Sequence, residues 1–303
     1  MWGVRRGGAG RRPKLPGGEW IVSLQVQDFD FVRKLVRERS GIVLDESKGY
    51  LVESRLAPVC RTLGYKSIGE LVAAVRGRAF SREHKAIVEA MTTNETSFFR
   101  DLHPFETLQR HILPDLIERR SSVRKLNIWC AACSSGQEPY SLAMLIREQF
   151  PRLASWKVNI LATDISTETL ERARAGLYSQ VEINRGLPAP LLVKYFEQDG
   201  LAWRLKQDLR SMVEFRELNL TQPLPPLPAM DLVLIRNVLI YFDLETKKGV
   251  LAKIGRVLDK DGYLLLGGAE TTINVDVSFA RRAFGKTVCY RKEGAQQPEG
   301  AKP

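Results

Sequence analysis

The chain has 303 residues, of which 44% are hydrophobic and 27% charged, with a net charge of +11; that composition suits one large or two moderate domains with a real core. No apolar run approaches the roughly 20 residues that span a membrane, and the basic N-terminus has no apolar stretch behind it of the kind a secretory signal needs, so a cytoplasmic location is expected. Four cysteines (Cys60, Cys130, Cys133, Cys289) are too few for a disulfide scaffold, and no second C-x-x-C completes a zinc site with Cys130 and Cys133; His84, His103 and His111 lack ligand spacing, so no metal is expected.

Residues 1–19 form a Gly/Pro-rich leader with Arg5, Arg6, Arg11, Arg12 and Lys14 and no acid before Glu19, read as a disordered arm. Residues 20–91 have helical spacing. Asp28 is placed to cap a first helix that carries Phe31, Val32, Leu35 and Val36 on one face and Arg33, Lys34 and Arg37 on the other, with Gly41 as its stop. A second helix is expected over Lys48–Leu63, with Leu51, Leu56, Val59 and Leu63 inward, Lys48, Arg55 and Arg61 adding positive charge, and Pro58 kinking or breaking it. A third runs near Ile68–Arg76, and Ser81 caps a fourth that reaches Met91. The basic exterior is either a solvated face or a docking surface for an acidic partner.

Residues 92–121 read as a linker and connecting helix. From 122 to 292 short apolar strands alternate with helices: strands at Lys125–Cys130, Val158–Ala162, Asp231–Ile235, Tyr263–Leu266 and Thr287–Arg291, and helices at Gln137–Phe150, from Ser166, and at Leu244–Leu258. This alternation predicts an α/β fold with a doubly wound, mostly parallel sheet, whose ligands bind beyond the carboxyl ends of the strands. Asp199-Gly200 between Lys194–Gln198 and Leu201–Leu205 is a hairpin signal and marks a small antiparallel insertion, about residues 194–212. A disordered tail is expected over 293–303.

Five segments carry candidate chemistry. Thr92–Asp101 is polar, then doubly aromatic, then charged; Asn94 and Thr96 offer hydrogen bonds, Arg100 a fork for a carboxylate, and Phe98 and Phe99 either wall a ligand or pack the linker. In Ile128–Tyr140 a small-residue turn leads from strand to helix without the three glycines of a dinucleotide fingerprint; Glu138 can bind a ligand ammonium or merely complement the helix start. Asp164 ends the second strand and can accept both hydroxyls of a ribose, or cap the next helix. Asn219, in Leu218-Asn219-Leu220, can pair with an adenine edge. A buried strand ends in Arg236-Asn237 and turns into Tyr241.

In order, T-T-N-E-T-S-F-F-R-D, S-S-G-Q-E-P-Y-S, A-T-D-I, L-N-L and R-N-V-L-I-Y-F-D resemble the CheR family of chemotaxis protein-glutamate methyltransferases, from about Gln27 to Tyr290. The resemblance implies a small helical N-terminal domain that docks receptors, followed by a sheet domain that binds S-adenosylmethionine and carries the antiparallel subdomain. It implies cofactor contacts from Asn94, Thr96, Arg100, Glu138, Asp164, Asn219, Leu220, Ile235 and Arg236, and places Arg100 and Tyr241 nearest the transferred methyl and the substrate. Two positions depart from the family pattern. Ile235 stands where a cysteine is usual, which implies a backbone or packing contact. Gly267-Gly268-Ala269-Glu270 stands where G-H-S-E is common, which leaves any role there open.

A substrate glutamate is ionised at neutral pH, so such chemistry needs no general base, in keeping with the lack of a Ser/His/Asp set. The implied partner is the glutamate-rich methylation region of chemoreceptors, met by Arg33, Lys34, Arg37 and Arg55. In some members the antiparallel subdomain binds a receptor C-terminal pentapeptide through a longer glycine-bearing loop; the short turn here implies no such tether. A monomer without a nucleic-acid partner is expected. A related enzyme acting on another protein and a non-catalytic cofactor-binding regulator are the alternative readings.

Overall fold

The computed structural model describes residues 24–292; the disordered leader and tail expected from the sequence lie outside the described residues. Apolar residues at helical spacing build α1 (Val26–Ser40), α2 (Gly49–Leu63), α3 (Ile68–Val75) and α4 (Arg82–Ala90). Gly41 and Gly64 end α1 and α2 in the left-handed region, with φ of 75° and 80°, as their positions suggested. Asp28 does not cap α1. The helix begins two residues earlier, and Asp28 sits in its first turn, where its carboxylate suits the positive helix end and meets Arg76 at 3.2 Å. Pro58 lies inside α2 without ending it. The buried stripe of α2 is Val52, Leu56 and Cys60; Leu51, Val59 and Leu63 flank it half-buried. The buried His84 accepts the Ser81 backbone N–H at 3.1 Å, which ties the start of α4.

Two short helices, α5 (His103–Thr107) and α6 (Leu113–Arg119), flank a π-helical turn over Leu108–Ile112. The α/β region then runs β1 (Lys125–Ala131), α7 (Gln137–Gln149), β2 (Lys157–Asp164), α8 (Thr167–Ala175), β3 (Leu177–Ser179), α9 (Gln180–Asn184), α10 (Ala189–Tyr195), β4 (Phe196–Asp199), β5 (Ala202–Leu205), α11 (Gln207–Arg210), β6 (Val213–Glu217), β7 (Met230–Ile235), α12 (Leu244–Val257), β8 (Leu258–Leu266), β9 (Phe279–Phe284) and β10 (Thr287–Lys292). Seven strands form a sheet in the order β6-β2-β1-β7-β8-β10-β9. The first five are parallel, β10 is antiparallel to β8, and β9 is antiparallel to β10. The direction of winding reverses between β1 and β7, the switch point at which such sheets bind ligands.

The fold therefore matches the expected α/β architecture, with three differences in detail. Strand β8 starts at Leu258 rather than Tyr263, and the edge strand β9 carried no clear sequence signal. The antiparallel insertion begins earlier than residue 194, because β3 pairs with β5 to make a three-stranded sheet, β3-β5-β4. Asp199 pairs with Ala202, so the turn residues are Gly200 and Leu201.

Alternation along the strands divides the core. Ile128, Cys130, Leu232, Leu234 and Leu265 face one side, with α6, α7 and the inserted sheet. Trp129, Ala131, Val233, Ile235 and Leu264 face the other, in one cluster with Val32, Val36, Leu56 and Ile87 of the helical domain. The helical domain thus shares the second of these two apolar clusters with one face of the sheet.

At the N-terminal ends of the strands lies an ion network. Arg120 Nε donates to Asp231 at 2.6 Å and its Nη2 to Asp261 at 2.5 Å, while Asp231 also accepts the Asn127 N–H at 2.7 Å. Arg120 holds the Asp261 carboxyl well below the usual carboxylate range. A depressed carboxylate adds stability above its unfolded pKa, near 4, and loses it as pH falls through the folded value. Asp261→Asn is expected to cost ~3 kcal/mol in urea unfolding at about pH 7, with the gap to the wild type closing below about pH 4. A gap that does not change with pH contradicts the assignment.

Candidate active site

At the carboxyl ends of β1, β2, β6 and β7 a cavity opens, lined by Asn94, Thr96, Arg100, Cys133, Ser134, Glu138, Asp164, Leu220, Arg236 and Tyr241 among others. After β1 the chain turns through Ala132, Ser134 and Gly136 at φ of 58°, 50° and 92°. Cys133 N–H donates to Thr163 O at 2.9 Å, and Ser134 N–H donates to the Asp164 carboxylate at 2.8 Å. A Cβ on Gly136 would lie 2.9 Å from that of Ala173, so a tight glycine turn lets α7 start here.

Asp164 is buried, and its second oxygen accepts the Ser166 N–H at 2.9 Å. Burial raises its pKa, and the backbone N–H groups of Ser166, Ser134 and Ile165 oppose that rise. Ser166 itself caps α8 by accepting the Thr169 N–H. Glu138 lies in the first turn of α7 and is raised by burial against the pull of Arg236. A carboxylate in so poorly solvated a place gains from a nearby cation. Burial also pushes the Cys130 and Cys133 thiols well above their ordinary value, which keeps them protonated and argues against a redox pair.

Arg236 closes this wall. Its side chain is 2% exposed; Nη1 donates to Glu138 at 2.9 Å, and Nη2 donates to Asp101 at 2.7 Å and to the Arg100 carbonyl at 3.1 Å. The guanidinium therefore joins β7, α7 and the segment Thr92–Asp101, and its Nε has no hydrogen-bond partner among the described residues.

That segment is the outer wall. Arg55 of α2 donates to the carbonyls of Met91 and Thr92 at 2.8 and 2.9 Å and to Thr93 Oγ1 at 3.1 Å. Ser134 Oγ donates to Asn94 O at 2.9 Å, and Arg100 Nη1 to Glu95 O at 2.8 Å. Phe98 and Phe99 do not line the cavity. Phe98 is fully buried, edge-on to Tyr178 at 5.0 Å and Phe196 at 5.7 Å, and Phe99 meets Phe105 at 5.1 Å. They anchor the segment and leave its polar residues to face the cavity.

The structure thus gathers nine of the ten candidate residues: Asn94, Thr96, Arg100, Glu138, Asp164, Asn219, Leu220, Arg236 and Tyr241. Ile235 is the exception. It is fully buried in β7, in register with Ala131 and Leu266, and does not line the cavity. Asn219 lines it with its amide already engaged: Nδ2 donates to Arg39 O, and Oδ1 accepts from Thr221 N and Oγ1 at 2.9 and 2.8 Å. Pairing of that amide with an adenine edge would break these bonds. Arg55 is not free for docking, since its fork holds the wall, and Arg37 meets Asp243 at 2.8 Å. Sequence reasoning missed Ser40 and Ile42, which reach the cavity from the end of α1. Ile42 bridges Phe242, and Val43 N–H donates to Tyr241 O at 2.9 Å. No local signal marks so long-range a pairing.

The donor set suits S-adenosylmethionine. Glu138 offers a carboxylate to an ammonium, Asp164 a hydroxyl acceptor, and Ile42, Ile165, Leu220, Val238 and Phe242 an apolar wall for a flat ring. Among the described residues no group of three or more His, Cys, Asp or Glu side chains is arranged to hold a metal ion, and no helix is long and apolar enough to cross a membrane.

Comparison with known proteins agrees with this geometry. Residues 94–285 match the model for the CheR methyltransferase SAM binding domain, and residues 27–92 the model for the CheR methyltransferase all-alpha domain. Chemotaxis protein methyltransferase 1 of Pseudomonas aeruginosa is 44% identical over 269 residues, 87% of this chain and 97% of that protein. Chemotaxis protein methyltransferase Cher2 of Pseudomonas putida is 42% identical over 80% of this chain and 90% of its own length. The chemotaxis protein methyltransferase of Vibrio parahaemolyticus is 39% identical over 89% of this chain and 98% of its own length.

If the Arg236 fork organises the cavity, Arg236→Lys weakens S-adenosylmethionine binding by about tenfold or more, ~1.4 kcal/mol, in isothermal titration calorimetry. An unchanged Kd would show that the clamp is dispensable.

Proposed function

The chain belongs to the CheR methyltransferase family, and from that premise we propose that this S-adenosylmethionine-dependent methyltransferase esterifies glutamate side chains in the cytoplasmic methylation region of chemoreceptors. The observation that carries the proposal is the cavity at the β1/β7 switch point, lined by the buried Asp164 and the half-buried Glu138 together with Arg100 and Tyr241.

When bound, S-adenosylmethionine supplies an electrophilic methyl on a sulfonium. In this reading Glu138 holds its ammonium, Asp164 accepts a ribose hydroxyl, and Asn94, Thr96 and Leu220 complete the pocket. A substrate glutamate is ionised near pH 7, so the chain supplies orientation and a dry site rather than a base. Arg100 has one N–H bonded to Glu95 O and presents a planar fork to a carboxylate. Tyr241 brings a phenol to the same cavity.

Charge supports the choice of partner. On α1, Lys34 is 77% exposed and Arg33 35% exposed, a positive face suited to a glutamate-rich helical bundle. Arg33 also pairs with Glu46 at 3.1 Å, which tempers that face. The two-residue turn Gly200-Leu201 offers no long loop for a receptor tail, and the proposal includes no tether. Micromolar binding of a receptor C-terminal pentapeptide in calorimetry would refute that part.

Three outcomes are expected. Methyl-labelled cofactor incubated with receptor cytoplasmic fragments gives alkali-labile label on glutamates; alkali-stable label points to another substrate chemistry. Arg33→Glu combined with Lys34→Glu lowers kcat/KM for the receptor by about tenfold at low salt, an effect that fades at high ionic strength, while the cofactor Kd stays unchanged. Arg37 is left out because it pairs with Asp243. Because burial raises the Glu138 pKa, cofactor affinity falls as pH drops toward the upper end of the carboxylate range, where Glu138 takes up a proton. Glu138→Gln binds weakly at all these pH values, and a pH-independent wild-type Kd removes Glu138 from the ammonium role.

A further inference from the structure

The carboxylate of Glu270 lies after β8, outside every candidate set drawn from the sequence. One oxygen accepts the N–H groups of Asn237 at 2.8 Å and Gly267 at 2.7 Å, and the other those of Val238 at 2.9 Å and Ile240 at 3.3 Å. One side chain therefore collects four backbone donors, three of them from the turn that carries β7 into Tyr241.

That turn has need of such a partner. Asn237 is in the left-handed region at φ 59°, which points successive N–H groups to one side and makes an anion-binding hollow. A 3-10 turn over Leu239–Tyr241 follows, and Val238, which precedes it, provides no side-chain cap. The first N–H groups of a helical turn have no partner within it, and Glu270 supplies one. The fit is close: a Cβ on Gly267 would lie 2.7 Å from Glu270 Oε2 and 2.8 Å from the Asn237 nitrogen atoms. On its far side the turn is held by the Tyr241 carbonyl, which accepts the Val43 N–H.

We propose that Glu270 is a positioning residue for methyl transfer: it fixes the Asn237–Tyr241 turn, and thereby sets Tyr241 at the cavity. The proposal rests on the methyltransferase reading of the cavity and adds to it a residue that touches neither cofactor nor substrate. The cofactor side has hydrogen bonds of its own, with Arg236 fixed by Glu138 and Asp101 and Asp164 by Ser134 and Ser166, and the Glu270 charge adds only the last, after burial, of the effects that raise the Glu138 pKa. Loss of the Glu270 carboxylate therefore acts on turnover more than on cofactor affinity.

The test is Glu270→Gln, which keeps size but turns an amide N–H₂ toward N–H donors. Amide exchange at Val238 and Ile240, followed by mass spectrometry or NMR, is expected to accelerate about tenfold or more while the rest of the sheet keeps its protection. At saturating cofactor and receptor fragment, kcat falls roughly tenfold to a hundredfold, and the S-adenosylmethionine Kd changes less than about threefold. Combining Glu270→Gln with Tyr241→Phe gives turnover no slower than Tyr241→Phe alone, because both act through one group. Unchanged exchange at Val238 and Ile240 overturns the proposal, as does full turnover with exchange accelerated. Parallel loss of cofactor affinity and turnover also overturns it, by making Glu270 a general support of the cavity. The exchange arm needs no substrate, so a wild-type chain that labels no receptor refutes the substrate reading and leaves this one to be decided on its own. If the glutamine variant folds poorly, Glu270→Asp, one methylene short, is expected to give the same pattern at smaller amplitude.

Discussion

The guanidinium of Arg236 is the interaction on which the cavity depends. A side chain 2% exposed carries a full charge away from water, which is tolerable only when opposite charges and hydrogen bonds surround it. Those partners come from two places far from it in sequence: Glu138 on α7, and Asp101 with the Arg100 carbonyl on the connecting segment. The charge balance therefore also fixes geometry. It sets the first turn of α7 against the end of β7, and it draws Thr92–Asp101 over both. Remove it, and Glu138 keeps its half-buried position without the cation that pairs with it.

Most of the sheet was legible because its central strands are buried on both faces and read as apolar runs. Lys125–Ala131 and Met230–Ile235 are such strands. The candidate carboxylates were legible by position, since Asp164 ends β2 and Glu138 opens α7, and the topology sends both to one place. What sequence reading missed depends on long-range pairing. The three residues of β3 acquire a strand identity only from β5, and β9 only from β10. Asn219 looked available until Arg39 and Thr221 engaged its amide, and Arg55 looked like a surface charge until it met the carbonyls of Met91 and Thr92. Phe98 and Phe99 permitted two readings, and edge-on contacts with Tyr178, Phe196 and Phe105 decided for packing. Glu270 stood in a segment whose role the sequence left open, because its four donors are backbone N–H groups, which leave no trace in residue type.

The helical domain is a structural part of the cavity as well as a neighbour to it. Its apolar residues share a cluster with one face of the sheet, and the end of α1 contributes Ser40 and Ile42 to the lining. Gly41 makes that approach possible, since a Cβ there would lie 2.6 Å from Thr221 and 2.9 Å from Thr246. Arg37 with Asp243, Lys85 with Glu217 at 2.8 Å, and Glu89 with Thr167 at 2.9 Å stitch the same seam. The positive face of α1 and part of the cavity lining are consequently carried by one helix and the residues that follow it.

The backbone carries a further consequence. Among the described residues eight non-glycine residues have positive φ, and six of them, Phe99, Asp101, Leu102, Ala132, Ser134 and Asn237, lie in the loops that frame the cavity. Each such conformation costs of order 1–3 kcal/mol and persists because its surroundings over-determine it. The framework thus stores conformational energy where ligand chemistry takes place, and the helices and outer strands hold it there. Directed evolution toward heat tolerance would meet its readiest gains in these loops, where asparagine or glycine relieves the backbone. Those gains would also relax the shape of the cavity, so thermal robustness and turnover are set against each other in this protein by the same few torsion angles.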